Sequence, residues 1–180
     1  MLRVSAKTGQ GFDAVTQLLD QQGAFGRKIL DIDYDIYAAG EAELGWLNSS
    51  VHVKAAKPFT LDDLLLDVVR GLQATLAAAG AEIAHLKAIG LWEGFFGVAN
   101  LVNTGGDAVL SLPSRCQAQH VDLIVNARVA MDPADLQRHV ESVVQTACGR
   151  RLAQISDAKT QSFRPGRPMP THRYAAAVGV

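Results

Sequence analysis

Apolar side chains recur at helical spacing in two segments of this 180-residue chain. Each segment carries a single apolar stripe, which predicts a helix that packs one face against a core. Thr60 and Asp132 are suitable N-caps for these helices, and Gly80 and Gly149 suit their C-terminal ends. The stripes consist of Leu61, Leu65, Val68, Leu72 and Leu76 in the first segment and of Leu136, Val140, Val143, Val144 and Ala147 in the second.

Apolar and polar side chains alternate around these helices, which predicts strands that are buried on one side. In the first strand Val51, Val53 and Ala55 share one side, and His52 and Lys54 lie on the other. The same reasoning, with a turn between the third and fourth strands, predicts further strands at 82–92, 95–102, 108–112, 121–131 and 152–163.

The predicted order is strand, helix, strand, extra hairpin, strand, helix, strand. Without the hairpin this is the ferredoxin-like βαββαβ pattern. Because each helix has one apolar stripe, both helices should cover one face of an antiparallel sheet. The sequence therefore predicts an α+β domain at 47–163.

The segments before and after this domain have a different character. Residues 2–4 suggest a strand end, 5–11 a loop and 12–23 a helix, and these elements are too few to enclose a core. We therefore expect 1–30 to be the C-terminal remnant of another domain. Residues 31–46 are predicted as an acidic linker with a short extended piece, from the alternation of Ile32, Tyr34 and Ile36, and 164–180 as a basic, proline-rich tail.

Composition narrows the class of protein. Hydrophobic residues make up 48% and charged residues 19%, which is typical of a soluble globular protein. No apolar run approaches the roughly 20 residues of a membrane-spanning helix, and the first residues do not form a signal peptide, so we expect a cytoplasmic protein. Cys116 and Cys148 are expected to be buried or idle thiols, because their number and spacing fit neither a disulfide framework nor a cysteine metal site.

Charge is unevenly distributed along the chain. The segment from Arg150 to Arg173 carries six cations against the single acid Asp157, although the formal net charge of the whole chain is only -1. No aromatic residues are interleaved with these arginines, so internal docking or an acidic partner is favoured over nucleic acid. The alternating acids Asp31, Asp33 and Asp35 are expected to form a solvated stretch onto which the tail could fold.

Residues 4–15, VSAKTGQGFDAV, resemble the last guanine-nucleotide motif of the CobW/HypB/UreG-type GTPases. The stretches 42–48, 81–87, 123–129 and 163–173 are similar to the C-terminal region of CobW-related proteins, some of which are linked to cobalamin or corrinoid metabolism. The resemblance implies that Ser5, Ala6 and Lys7 form a loop over the guanine base, but only together with the missing nucleotide-binding domain.

The chain also departs from that family. It has no GxxxxGK[ST] loop, no following acid for magnesium, no Asn-Lys-x-Asp motif and no Cys-x-Cys-Cys metal site. We therefore expect no catalysis and no cofactor in this chain; GTP, magnesium and any zinc or cobalt would belong to the parent protein. The implied partners are an upstream GTPase domain or separate GTPase subunit and a metalloprotein or corrinoid-protein client, with neither nucleic acid nor membrane.

Strand alternation suggests one candidate binding surface. If Val51, Leu123 and Val129 face the helices, with Ala84, Leu86 and Ala88 also inward, the opposite face should be polar and basic. That face would carry His52, Lys54, His85, Lys87, Asn126 and Arg128. It could dock an anionic ligand, the GTPase body or a client, or it could be an ordinary solvated sheet face.

Other candidate chemistry is sparse. The histidines show no metal-ligand spacing, and His52 with His85 is the one pair worth examining. Nor do the residues suggest a Ser-His-Asp, Cys-His or close carboxylate arrangement. Tail contacts are expected from Arg164, Arg167, His172 and Arg173.

Two functions remain open from the sequence. The first is a non-catalytic C-terminal domain of a CobW-like GTPase that couples nucleotide state to delivery of a metal or a corrinoid-related client. The alternative is a stand-alone ferredoxin-like interaction or ligand-binding module that oligomerises through its sheet.

Overall fold

The computed structural model describes residues 2–6, 8–21 and 32–170. They belong to two compact units, one of the described residues up to 32 with 169 and 170, and one of residues 33–168. In chain order, the elements in the described ranges are α1 (Phe12–Leu19), α2 (Tyr34–Ala42), β1 (Gly45–Thr60), α3 (Leu61–Ala78), β2 (Ile83–Trp92), β3 (Phe95–Leu101), β4 (Val109–Leu112), β5 (Gln117–Val129), α4 (Pro133–Gly149) and β6 (Ala153–Phe163).

The larger unit is built on one antiparallel sheet of six strands. Their order is β4-β3-β2-β5-β1-β6, and every neighbouring pair is antiparallel. The long central strands β1 and β5 pair along most of their length, from Gly45 opposite Val129 to Thr60 opposite Gln117. The α+β class with an antiparallel sheet, predicted from the alternating pattern, is confirmed.

One hydrophobic core lies between the sheet and the two long helices. The buried strand residues, such as Leu47, Val53 and Leu123, share one face and join the buried stripes of α3 and α4 in a single cluster. Both helices therefore cover the same face of the sheet. The stripe residues of α3 are 0% exposed, so the helical spacing identified the buried side correctly.

The helix ends agree with the capping signals in the sequence. Asp132 Oδ1 accepts hydrogen bonds from the backbone N–H groups of Ala134 and Asp135 at 2.8 and 3.4 Å, which satisfies two donors of the first turn of α4. Thr60 occupies the N-cap position of α3 without a capping side-chain bond. Its hydroxyl instead accepts from Gln117 Nε2 at 3.0 Å, a bond that ties β1 to β5.

The two-residue turn between β2 and β3 has positive φ at both positions, 45° at Glu93 and 84° at Gly94. This geometry matches the twist of a tight hairpin. At the other end of β2 the register shifts between Ile83 and His85. Ala84 is therefore exposed, and its predicted inward orientation is wrong, because the extra residue displaces it from the alternation.

The extended piece predicted near Ile32, Tyr34 and Ile36 is also wrong, because Tyr34–Ala42 is a helix. Its N-cap is Asp33, whose side chain accepts from the backbone N–H groups of Asp35 and Ile36. A capped first turn thus outweighs a brief alternation. No residue of α2 is buried, so the helix has no apolar stripe that could have revealed it.

In the smaller unit, residues 2–5 form no strand, contrary to the prediction for 2–4. An extended segment needs a paired neighbour to become a strand, and the described residues offer none. The following loop is closed by backbone hydrogen bonds from Ser5 to Gln10 and from Gly9 to Ser5, at 3.0 and 2.9 Å. Helix α1 begins after Gly11 as predicted, and none of its residues is buried.

Within the described ranges, no helix combines the length and the hydropathy that crossing a bilayer requires.

Candidate binding face of the sheet

The face of the sheet opposite α3 and α4, which we call the open face, carries all six candidate side chains. The strand register brings four of them together at one end. His85 pairs with Arg128, which pairs with Trp46, and in the next row Lys87 pairs with Asn126. Asn126 in turn pairs with Asn48 of β1, and its Nδ2 donates to Asn48 Oδ1 at 2.7 Å.

The other two candidates, His52 and Lys54, lie toward the opposite end of β1. His52 pairs with Asp122, whose Oδ1 lies 2.9 Å from its Nδ1, and Lys54 pairs with His120. The β5 partners of His52 and His85 are six positions apart, which corresponds to about 20 Å along a strand. The suggested pairing of His52 with His85 is therefore wrong.

Arg128 is held by an aromatic neighbour and has no acidic partner among the described residues. Its guanidinium carbon lies 3.8 Å from the centroid of the Trp46 ring, and the Phe163 ring lies 6.1 Å from Trp46. Stacking of this kind fixes the plane of the guanidinium and leaves its N–H donors available. In the described part of the chain, none of the salt bridges within 4.0 Å involves Arg128, Lys87 or Lys54.

The electrostatic environment of His85 reflects these cations. Burial lowers the pKa of His85, and the charges of Lys87 and Arg128 lower it further. Since the ordinary pKa of histidine is about 6.5, the ring is neutral at physiological pH. The positive charge at this end of the open face therefore comes from Lys87 and Arg128.

A second part of the open face is apolar, and sequence reasoning missed it. Leu91, Phe96 and Leu112 are 40%, 53% and 42% exposed. Register places Leu91 opposite Phe96 and Ile89 between Val98 and Ile124. The open face is thus not the uniformly polar, basic surface that alternation predicts. The signal was present in the sequence, since Ile89 and Leu91 share the parity of Lys87.

Neither a family model, nor a curated protein, nor a solved structure matches this chain. The open face and the contacts around it are therefore the observations that bear on function.

A shallow pocket opens on the open face between β1 and β6. Its lining includes Asn48, Ser50, Ile124, Lys159 and Gln161. The pocket lies next to an irregularity of β6, where the register with β1 shifts between Ser50 and His52 and Asp157 has a φ of 50°. The pocket could not be anticipated from the sequence, because the register shift of β6 cannot be read from the pattern of one strand.

The tail residues that the structure describes contact the segment around α2. Arg164 Nη1 donates to the backbone oxygens of Ala42 and Glu43 at 2.6 and 3.2 Å, and its Nη2 donates to that of Met131 at 3.4 Å. Arg167 Nε donates to Asp35 Oδ1 at 2.5 Å. The other two tail candidates, His172 and Arg173, lie outside the described residues, as does Asp31.

Of the proposed guanine-base loop, Ser5 and Ala6 are described and Lys7 lies outside the described residues. Ser5 Oγ accepts from the backbone N–H of Thr8 at 3.3 Å, and the backbone of Ser5 closes the loop onto Gln10. Gly11 ends the loop with a φ of 79°, and a Cβ there would lie 2.2 Å from the Arg3 oxygen. The loop conformation therefore requires glycine at this position.

Asp62 is a buried carboxylate that the sequence did not single out. Its Oδ1 accepts from the N–H and hydroxyl of Ser114, at 2.8 and 2.7 Å, and its Oδ2 accepts from the N–H of Arg115 at 2.9 Å. Burial raises the pKa of Asp62, but these hydrogen bonds outweigh it and the net pKa is lowered. The carboxylate anchors the loop before β5 to the start of α3.

The described residues contain no group of three or more His, Cys, Asp or Glu side chains placed to hold a metal ion. Both cysteines are free; Cys116 is partly exposed and Cys148 is buried. Burial raises the pKa of the Cys148 thiol to about 11, against a smaller opposing effect of Arg151.

Proposed function

We propose that this chain is a non-catalytic, partner-binding domain whose working surface is the open face. The observation that carries this proposal is the asymmetry of the sheet. Both long helices cover one face, and the other presents Lys87 and Arg128, without acidic partners in the described ranges, beside exposed Leu91 and Phe96. A surface that combines uncompensated charge with exposed apolar area is suited to a protein partner.

The domain, in this proposal, has the ferredoxin-like topology. Support comes from the strand order: when the β3–β4 hairpin is set aside, the order is β2-β5-β1-β6. A ferredoxin-like sheet has the same arrangement, with the first and third strands at the centre and both helices on one side. The hairpin extends the sheet at the β2 edge, where it adds the apolar part of the open face.

Within this proposal the domain serves a CobW-type GTPase and couples its nucleotide state to delivery of a metal or corrinoid-related client. The SAKTGQG loop followed by α1 supports this assignment, because the family places such a loop over the guanine base. The exposed apolar side chains of α1 add to it: Phe12 is 47%, Leu18 47% and Leu19 78% exposed. A nucleotide-binding domain would cover them, and would itself hold GTP, magnesium and any zinc or cobalt.

A GTP titration tests this assignment. The purified chain is compared with a longer chain that also carries an upstream nucleotide-binding domain, with binding followed by calorimetry and turnover by phosphate release. We expect tight, saturable binding with turnover for the longer chain and no turnover for the chain alone. GTP turnover by the chain alone would overturn the proposal.

The alternative, a stand-alone module that oligomerises through its sheet, is favoured by the apolar part of the open face. Two copies could bury Leu91, Phe96 and Leu112 against each other. Sedimentation velocity at increasing protein concentration distinguishes the two functions, with Phe96→Asp as the test variant and Leu152→Asp, an 87% exposed residue beyond α4, as the control. A dimer that only Phe96→Asp dissociates would support the alternative.

A further inference from the structure

Three cations surround one pair of hydrogen-bonded amides on the open face. Lys87 pairs with Asn126, Arg128 lies two residues along β5 from Asn126, and Lys159 pairs with Ser50, two residues along β1 from Asn48. The Asn48–Asn126 pair thus lies beside Lys87, two residues from Arg128, and one strand and two residues from Lys159. Neighbouring strands are about 4.8 Å apart and a two-residue step is about 7 Å, so the long side chains of all three cations can approach it.

These cations are not neutralised within the described part of the chain. In those ranges no salt bridge within 4.0 Å involves Lys87, Arg128 or Lys159. The nearest acid on β5 is Asp122, which is bound to His52 and lies four residues along the strand from Asn126. A cluster of like charges in this arrangement repels itself and gains free energy when an anion binds.

The pocket between β1 and β6 supplies neutral donors next to the cations. Lys159 and Asn48 line it together with Ser50 and Gln161. Asn48 accepts from Asn126 through its Oδ1, and this leaves its Nδ2 group free to donate. Hydroxyl, amide and ammonium donors around one concavity are the groups that hold the oxygens of a phosphate.

We propose that the pocket of Asn48, Ser50, Lys159 and Gln161, with Lys87 and Arg128 beside it, binds a phosphate group. The positive charges of Lys87, Arg128 and Lys159 outnumber the one acid that the structure describes beside the pocket, Asp157 in the irregularity of β6. They favour a dianion over a carboxylate, because the attraction grows with the charge of the ligand. The phosphate could be free or could be carried as a monoester by a larger molecule. This inference rests on the open face being a binding surface, as proposed above.

A titration of the full chain with inorganic phosphate at constant ionic strength, followed by amide NMR, tests the proposal. We expect saturable shifts at Asn48, Ser50 and Lys159 and at the side-chain amides of Asn48 and Asn126. Acetate at the same ionic strength should bind at least about 5-fold more weakly, as a monoanion. Phosphoserine in a parallel titration distinguishes the two sources, since tighter binding than inorganic phosphate would assign a monoester.

Lys159→Ala removes a charge-assisted contact within the pocket and should weaken phosphate binding by about 5-fold or more. Lys87→Ala removes a charge beside the pocket and should weaken binding by a smaller factor, about 2- to 3-fold. Lys54→Ala is the matched control: it removes the same charge from the same face, six residues along β1 from Asn48, and should change the affinity less than about 2-fold. Neither test residue belongs to the core, so folding should be retained.

Two outcomes would overturn the proposal that this pocket binds phosphate. One is the absence of saturable shifts, and the other is an equal loss of affinity for Lys54→Ala and Lys159→Ala, which would indicate diffuse attraction to the whole face. Both are distinguishable from failure of the GTPase assignment, because they concern binding of inorganic phosphate at the open face, whereas that assignment is tested by GTP turnover.

Discussion

Asp62 illustrates at the scale of one residue how a buried charge holds distant segments together. Its three hydrogen bonds reach Ser114 and Arg115, which follow it by more than fifty positions. Loss of the carboxylate would leave these donors without partners. We therefore expect Asp62→Ala to lower the free energy of unfolding by about 2–3 kcal/mol, and Asp63→Ala, its exposed neighbour, by less than about 0.5 kcal/mol. Urea denaturation measures both, and equal effects would contradict the anchoring role.

The pH dependence follows from the lowered pKa of Asp62. The pKa of an aspartate in the unfolded state is near 4. A carboxylate whose pKa is lower in the folded state stabilises the folded protein at pH values above that unfolded-state pKa. This stability is lost as the pH falls through the folded-state pKa. The difference in the free energy of unfolding between the natural chain and Asp62→Ala should therefore shrink in acid. A difference that stays constant down to about pH 2 would contradict this expectation.

Cys148 and Cys116 should differ in reactivity with a thiol reagent. The thiolate is the reactive form, and burial both shields Cys148 and raises its pKa to about 11. In the native protein we expect Cys148 to be modified at least about 10-fold more slowly than Cys116, as measured with single Cys→Ser variants. The difference should disappear in denaturant. Equal native rates would show that Cys148 is accessible.

Residue-level prediction from sequence succeeded where alternation was regular. His52, Lys54, Lys87, Asn126 and Arg128 lie on the side that the alternation indicated, because β1, β5 and β2 from His85 onward are regular there. The predicted inward orientation of Ala84 is wrong because the register of β2 shifts there. The role of Asp62 could not be predicted, since its partners are distant in sequence. Which side chains share a row depends on register, which one strand's pattern does not contain.

Two glycines show how an element responds to a single added methyl group. At Gly45, the start of β1, a Cβ would lie 2.7 Å from the backbone oxygen of Met131; at Gly40, inside α2, it would meet nothing within 4 Å. We expect Gly45→Ala to destabilise the protein by about 1–3 kcal/mol. Gly40→Ala should raise the stability by about 0.5–1 kcal/mol, because alanine favours helix.

Thermal unfolding followed by circular dichroism measures both glycine variants. The opposite signs are the essential result. A Gly45→Ala protein as stable as the natural chain would contradict the close approach of β1 to the segment before α4.

Elements were predictable where their burial was one-sided. The helices α3 and α4 and their N-cap positions were predictable, because an apolar stripe marks each helix, although only Asp132 makes a capping side-chain bond. Helix α2 was missed because it buries no residue and its Asp33 cap competes with an alternating pattern. The strand predicted at 2–4 failed because strand formation depends on a partner.

Charge asymmetry acts at the scale of the whole chain. The excess of cations after Arg150 suggested a tail that folds onto the acidic segment, and Arg167 contacts Asp35 in the structure. Both side chains are more than half exposed, so salt should screen the contact. We expect the Nε–H NMR signal of Arg167 to approach that of free arginine in about 1 M salt. Asp35→Asn should do the same at low salt, and no change in either case would contradict the contact.

The α+β class and the antiparallel sheet were predictable from the order of elements, since connections between short strands allow few arrangements. The division of the open face into a basic part and an apolar part was not predictable from that order. It arises because β3 and β4 add Phe96 and Leu112 to one side of the sheet, beside Leu91. The position of the hairpin at the β2 edge follows from tertiary pairing alone.

The most direct test of the central claim, that the open face is the working surface, is an amide NMR comparison of the chain with and without a GTP-loaded, purified CobW-type nucleotide-binding domain. The account predicts shifts in the loop 5–11 and in α1, which that domain would cover, and also at open-face positions of β1, β2 and β5, including Lys87 and Arg128. Lys87→Ala should weaken the open-face shifts. Shifts confined to the exposed sides of α3 and α4, with the open face unchanged, would contradict it.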